Sequence, residues 1–191
     1  MKPRHLSLLL ASLLSLSAAE IPSAAWQIKT GVLAAPKAQQ DAATVLGYDP
    51  SGALVTLRAG TNNLNCLADD PKQDGFSVSC YHKDLEPFMA RGRELAAEGK
   101  KAVAITKIRE EDVKAGKYKM PDRGVLNVTT GKRDAATGEV TELYTRYVVY
   151  IPYATPETTG IPLAPATPGG PWIMDPGTHR AHIMINPPKP K

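Results

Sequence analysis

Tyr144-Thr-Arg-Tyr-Val-Val-Tyr-Ile-Pro-Tyr153 is the longest run in the chain with strong β character, and its reading decides the fold. Side chains alternate along a strand, so Tyr147, Val149, Ile151 and Tyr153 share one face while Tyr144, Arg146, Val148 and Tyr150 share the other. Both rows are rich enough in apolar groups to be buried, which predicts a central or near-central strand. The tyrosines also recur every third residue, as in a polyproline rod, but the Val148-Val149-Tyr150-Ile151 core favours the strand. Pro152 has no amide to donate, so pairing should loosen there.

Outward from this strand toward the N-terminus, Val125–Thr129 reads as a neighbouring strand, with the polar segment Gly131–Glu139 turning the chain between the two. Asn127-Val-Thr129 matches the glycosylation sequon, a triplet that arises readily by chance. Further back, Thr44–Tyr48 and Ala53–Arg58 are two β-prone runs about Asp49-Pro-Ser-Gly52, whose Pro and Gly suit a four-residue turn, so a hairpin is expected. Leu64–Ala68 and Phe76–Tyr81 follow as a third and fourth strand, making a meander.

Cys66 and Cys80 lie in those two strands and are the only cysteines in the chain. In an exported protein this predicts a disulfide. Thiol–disulfide enzymes usually space their cysteines two residues apart, which argues against a reactive pair.

Between the fourth strand and Val125 the pattern turns helical. Asp84 is a suitable N-cap, Glu86 places negative charge in the first turn, and Pro87 is tolerated there. Leu85, Phe88, Met89, Leu95 and Ala96 form one apolar stripe, with Gly99 as the stop. Lys101–Ile108 fits either strand or helix. Glu110–Ala115 before Gly116 reads as a short helix.

The two ends differ from this centre. Lys2 and Arg4, the apolar Leu6–Leu16 and the small Ser17-Ala18-Ala19 have the three-part layout of a signal peptide, so residues 1–19 are expected to be removed on export to the periplasm or exterior, with Ser23-Ala24-Ala25 as a second cleavage site. That apolar run is too short to span a bilayer, and no later run is longer. Removing 1–19 takes away two cations and no acid, so the net charge falls from +4 to +4 − 2 = +2. Without a dense basic face, no nucleic-acid partner is expected. Residues 20–43 read as a lead-in, a short helix or extended segment, and 44–153 as the core. Ten of the seventeen prolines lie between Pro152 and Pro190, so 154–191 reads as an extended proline-rich segment wrapping the domain through Ile161, Leu163 and Trp172. A short strand at Met184–Ile185 and a disordered tail complete it.

The fold class is therefore α+β: one domain, mainly an antiparallel sheet of about five to seven strands, with one good helix, one short helix and a proline-rich C-terminal wrap. The chemistry-bearing residues are few. Asp175, His179 and His182 cluster beside Trp172 and invite a site for zinc or a similar divalent ion, although a three-residue spacing puts the two histidines on opposite faces of a strand. Hydrogen-bonded structural histidines are the plainer reading. His82, with Asp84 close by, has the makings of a base oriented by a carboxylate. Arg91, with Arg93 and Glu94, has the fork chemistry of an anion clamp, while its outward place on the helix fits a solvated face. Nucleophile elbows, phosphate loops, dinucleotide fingerprints and HExxH are absent from the sequence. Two functions are compatible with this: a non-catalytic exported protein that binds a ligand or partner through its sheet and proline-rich segment, or a metal-dependent hydrolase using Asp175, His179 and His182.

Overall fold

A computed structural model describes residues 20–189 of the chain. The signal-peptide reading of residues 1–19 and the last two residues of the tail lie outside them. The fold is α+β, an eight-stranded sheet in the order β2-β1-β3-β4-β5-β6-β8-β7 with helices on both faces. The strands are β1 Thr44–Tyr48, β2 Leu54–Arg58, β3 Leu64–Leu67, β4 Phe76–His82, β5 Gly124–Arg133, β6 Val140–Tyr150, β7 Trp172–Met174 and β8 His182–Ile185. The helices are α1 Ala24–Gly31, α2 Glu86–Ala97, α3 Ala102–Lys114 and the single turn α4 Pro156–Thr159. No helix among the described residues is long and apolar enough to cross a membrane.

The Tyr144–Tyr150 run lies in β6, between β5 and β8. The expected hairpin is β1–β2, with Asp49 N donating to Ala53 O and Gly52 in the left-handed conformation at φ 79°. The meander, however, breaks after it. β3 pairs with β1 in parallel, leaving β2 at the edge. The amides of Thr61 and Asn62 both donate to Ala42 O, which anchors the turn beside the start of β1 and feeds the chain into β3 there. Gly60 permits this approach, because a Cβ at that position would collide with the backbone of Ala43 and Thr44.

Two helical expectations change, and the open choice for the lead-in resolves to a helix. The ambiguous Lys101–Ile108 segment and the short helix after it are one 13-residue helix, α3. Its β-branched residues are overridden by docking on α2, through Arg91 Nε to Asp112 Oδ2 at 2.7 Å and Arg109 against Phe88. Asp84 does not cap α2. It lies in a 3₁₀ turn, Lys83–Leu85, and the helix starts two residues later without a side-chain cap. The lead-in contains α1, capped by Ser23, and contributes Val32, Ala34, Ala35 and Ala43 to the core. Gln27 pins α1 to β1: its Nε2 donates to Tyr48 O and its Oε1 accepts from Tyr48 N.

Two apolar cores lie on opposite faces of the sheet. One gathers Val45, Cys66, Phe76, Val78 and Cys80 under α1 and the turns that follow it. The other gathers Tyr81, Leu85, Phe88, Met120, Val148, Tyr150 and Met184. Cys80 and Tyr81 are consecutive on β4, so alternation sends them to opposite sides. The consequence for β6 corrects the expectation of burial on both faces. Val148 and Tyr150 are buried, whereas Tyr147 is 42% exposed and Val149 is half-buried. In register with them, Val125, Val149 and Ile183 form one cross-strand row and Asn127, Tyr147 and Ile185 the next. This half of the face is apolar and partly uncovered.

Candidate functional site

Beside that face is a groove of about 710 Å³ lined by His82, Asp84, Lys119–Val125 and Val149. It opens where β4 and β5 part company. Their last partners are Tyr81 and Leu126, after which β4 turns away into the Lys83–Leu85 turn. Gly124 lets this turn sit close: a Cβ there would stand 2.9 Å from Cγ of Leu85, which is fully buried. Val125 and Val149, paired across β5 and β6, supply apolar lining, joined by Met120 and Pro121 from the loop after α3. A second depression of about 620 Å³ shares Lys119–Asp122 and continues past Tyr118, Pro152 and Tyr153. Tyr153 is half exposed and held at φ 65°, a left-handed conformation that a bulky residue rarely adopts.

His82 lies in this groove, and its hydrogen bonds fix its chemistry. Nδ1 accepts the Asp84 amide hydrogen at 3.3 Å. A neutral ring whose Nδ1 is an acceptor carries its proton on Nε2, so it offers a donor to a ligand rather than a basic nitrogen. Asp84 Oδ2 lies 3.5 Å from the same Nδ1.

The Asp175, His179 and His182 cluster is placed differently. Asp175 Oδ2 lies 2.9 Å from Arg180 Nε, an ion pair without hydrogen-bond alignment. His182, on β8, has Nδ1 2.7 Å from Arg180 O and its ring 5.2 Å from Tyr150. His179 is fully buried, edge-on to Phe88 at 5.8 Å, and neither ring nitrogen has a hydrogen-bond partner among the described residues. Burial lowers the pKa of both histidines, opposed for His179 by Glu110 and for His182 by the bond to Arg180 O and the Asp175 charge. The three side chains are near in sequence, yet among the described residues no trio of His, Cys, Asp or Glu is grouped to hold a metal ion.

Arg91 is committed to structure. Its Nε reaches Asp112 and its NH1 reaches Glu94 at 3.2 Å. Asp112 is held below the usual carboxylate range, by Lys117 first and Arg91 second. Arg93 turns to Glu86 and to the Tyr81 hydroxyl, 3.1 Å away. Cys66 and Cys80 form the disulfide, directly opposite each other in the β3–β4 register.

Sequence reasoning singled out His82 with Asp84 but missed the rest of the groove. Lys119, Asp122 and Arg123 are spaced along a loop with no motif. The available signal was the Met120-Pro-Asp-Arg-Gly124 loop running straight into a strand, which places its side chains at a sheet end. Compared with protein-family models, curated proteins and solved structures, the chain matches none of them.

Proposed function

We propose that this chain is a non-catalytic exported binding protein whose binding surface is the groove at His82, continued by the uncovered rows around Tyr147 and Val149. The observation that carries the reading is the groove itself, about 710 Å³ over valines, flanked by a histidine that presents a donor. Ligand sites combine such an apolar lining with a few polar groups that fix orientation. Export is part of the proposal, supported by the layout of residues 1–19 and by the disulfide, a bond characteristic of oxidising compartments.

A benzophenone amino acid in place of Tyr147, introduced in the producing cell, tests this reading, with the same label at Val103 as control, a residue 84% exposed on α3. A discrete adduct at position 147, lost on adding Val149→Lys and absent from position 103, is the expected result. Equal adducts at both positions, or none, overturn it. The competing reading, a metal-dependent hydrolase at Asp175, His179 and His182, draws on the two unpartnered ring nitrogens of His179. Calorimetric zinc titration of the wild type and His182→Ala decides it: stoichiometric uptake abolished by the substitution supports the hydrolase.

A further inference from the structure

The ionisable groups of the groove go beyond its shape. Asp84, Lys119, Asp122 and Arg123 stand round it with His82, and their formal charges cancel, two of each sign. What distinguishes them is which are already engaged. Asp84 faces His82. Among the described residues, Lys119 and Arg123 have no carboxylate within ion-pair distance. Two nearby lysines differ in this respect, since Lys114 is paired with Glu110 and Lys117 with Asp112.

Three donors therefore line the groove, none of them hydrogen-bonded to a protein acceptor among the described residues: the Lys119 ammonium, the Arg123 guanidinium and the Nε2–H that the Asp84 amide leaves to His82. A guanidinium beside an ammonium suits a planar oxyanion. Asp84 and Asp122 line the same groove and repel added negative charge, which selects a monoanion over a phosphate dianion or a polyanion. The apolar lining of Val125, Val149, Met120 and Pro121 requires the rest of the ligand to be apolar.

We infer that the groove binds a carboxylate carried on an apolar body, with Lys119, Arg123 and His82 holding the carboxylate and the valines of β5 and β6 receiving the body. The inference rests on the binding reading above and names its ligand chemistry. Two sources share that chemistry, a free aliphatic acid and the C-terminus of a peptide.

Backbone amide shifts of the exported chain, titrated at millimolar probe concentration, test it. The probes are octanoate, 1-octanol, and an N-acetylated Ala-Val-Leu tripeptide as its free acid and as its amide. At least one acid should shift residues 119–125 and Val149, and its uncharged counterpart should bind about tenfold more weakly or less, since a charge-assisted hydrogen bond is worth at least that factor. Lys119→Gln with Arg123→Gln should weaken the acid by a similar factor at unchanged melting temperature, because both side chains are exposed. Response to octanoate alone identifies a free acid, and response to the tripeptide alone a chain terminus. The inference is overturned if neither acid shifts these residues, if the uncharged probes bind as tightly, or if the double substitution changes nothing. Those outcomes leave the cross-linking result at Tyr147 untouched, so the ligand class and the binding role fail separately.

Discussion

The guanidinium carbon of Arg109 on α3 lies 3.7 Å from the centroid of the Phe88 ring on α2, and its NH1 donates to Phe88 O at 3.1 Å. With Arg91–Asp112 this stacked pair fastens α3, whose side chains are otherwise mostly half-buried or exposed. Gly92 gives the guanidinium room, because a Cβ there would meet Arg109 NH1 at 2.8 Å. Arg109→Ala should therefore cost about 1–2 kcal/mol, the range of a partly desolvated cation–π contact. Adding Gly92→Ala to that variant should restore about 1 kcal/mol, since alanine outperforms glycine in a helix interior and no guanidinium remains to clash. Urea denaturation of the single and double variants checks both signs.

The disulfide should contribute about 3 kcal/mol in the chain-entropy account of a loop this size. Cys80→Ala, or reduction under native conditions, should lower the denaturation midpoint accordingly. Intact mass before and after alkylation shows whether the two sulfurs are bonded in the protein recovered from its producing cell.

Acid should destabilise the domain through His179 and His182. Both have folded pKa values lowered by burial, so both fold in the neutral form. Their contribution is present in full above about 6.5, the unfolded value, and is lost as pH falls through the lowered folded values. Around His179, Arg109, Arg180 and Lys114 add repulsion on protonation and Glu110 opposes it. His179→Leu should flatten this pH dependence, as measured by melting temperature between pH 4 and 8.

Neighbouring positions on β6 should respond in opposite ways. Val148→Ala removes buried methyl groups from the core beneath α2 and should cost about 2 kcal/mol. Tyr147→Lys, on the uncovered face, should stay within about 0.5 kcal/mol. Denaturant midpoints of the two variants test which face is packed.

Seven of the eight strands and their order in the chain were legible because alternation and turn chemistry are local properties; β7, Trp172–Met174, was read as part of the proline-rich wrap. Val148 and Tyr150 were correctly separated from Tyr147 and Val149 on those grounds. The parallel β1–β3 pairing was not legible, since it depends on the amides of Thr61 and Asn62 meeting one carbonyl, Ala42 O, some twenty residues back. The single helix over 102–114 was hidden for a related reason: Val103, Ile105 and Thr106 favour strands locally, and only Asp112 and Arg109, reaching across to α2, reveal the helix. His82 was visible in the sequence because histidine is scarce. Lys119 and Arg123 were not, because their significance lies in what they fail to pair with.

Strand β4 belongs to both halves of the molecule, giving Phe76, Val78 and Cys80 to one core and Tyr81 to the other. Neither core can assemble without it, and neither can come apart alone without stripping one side of a strand that the other still needs. The domain should accordingly melt in one cooperative transition. The slowest-exchanging amides of β3 and of β6 should open at the same free energy, as members of one folding unit joined through a shared strand.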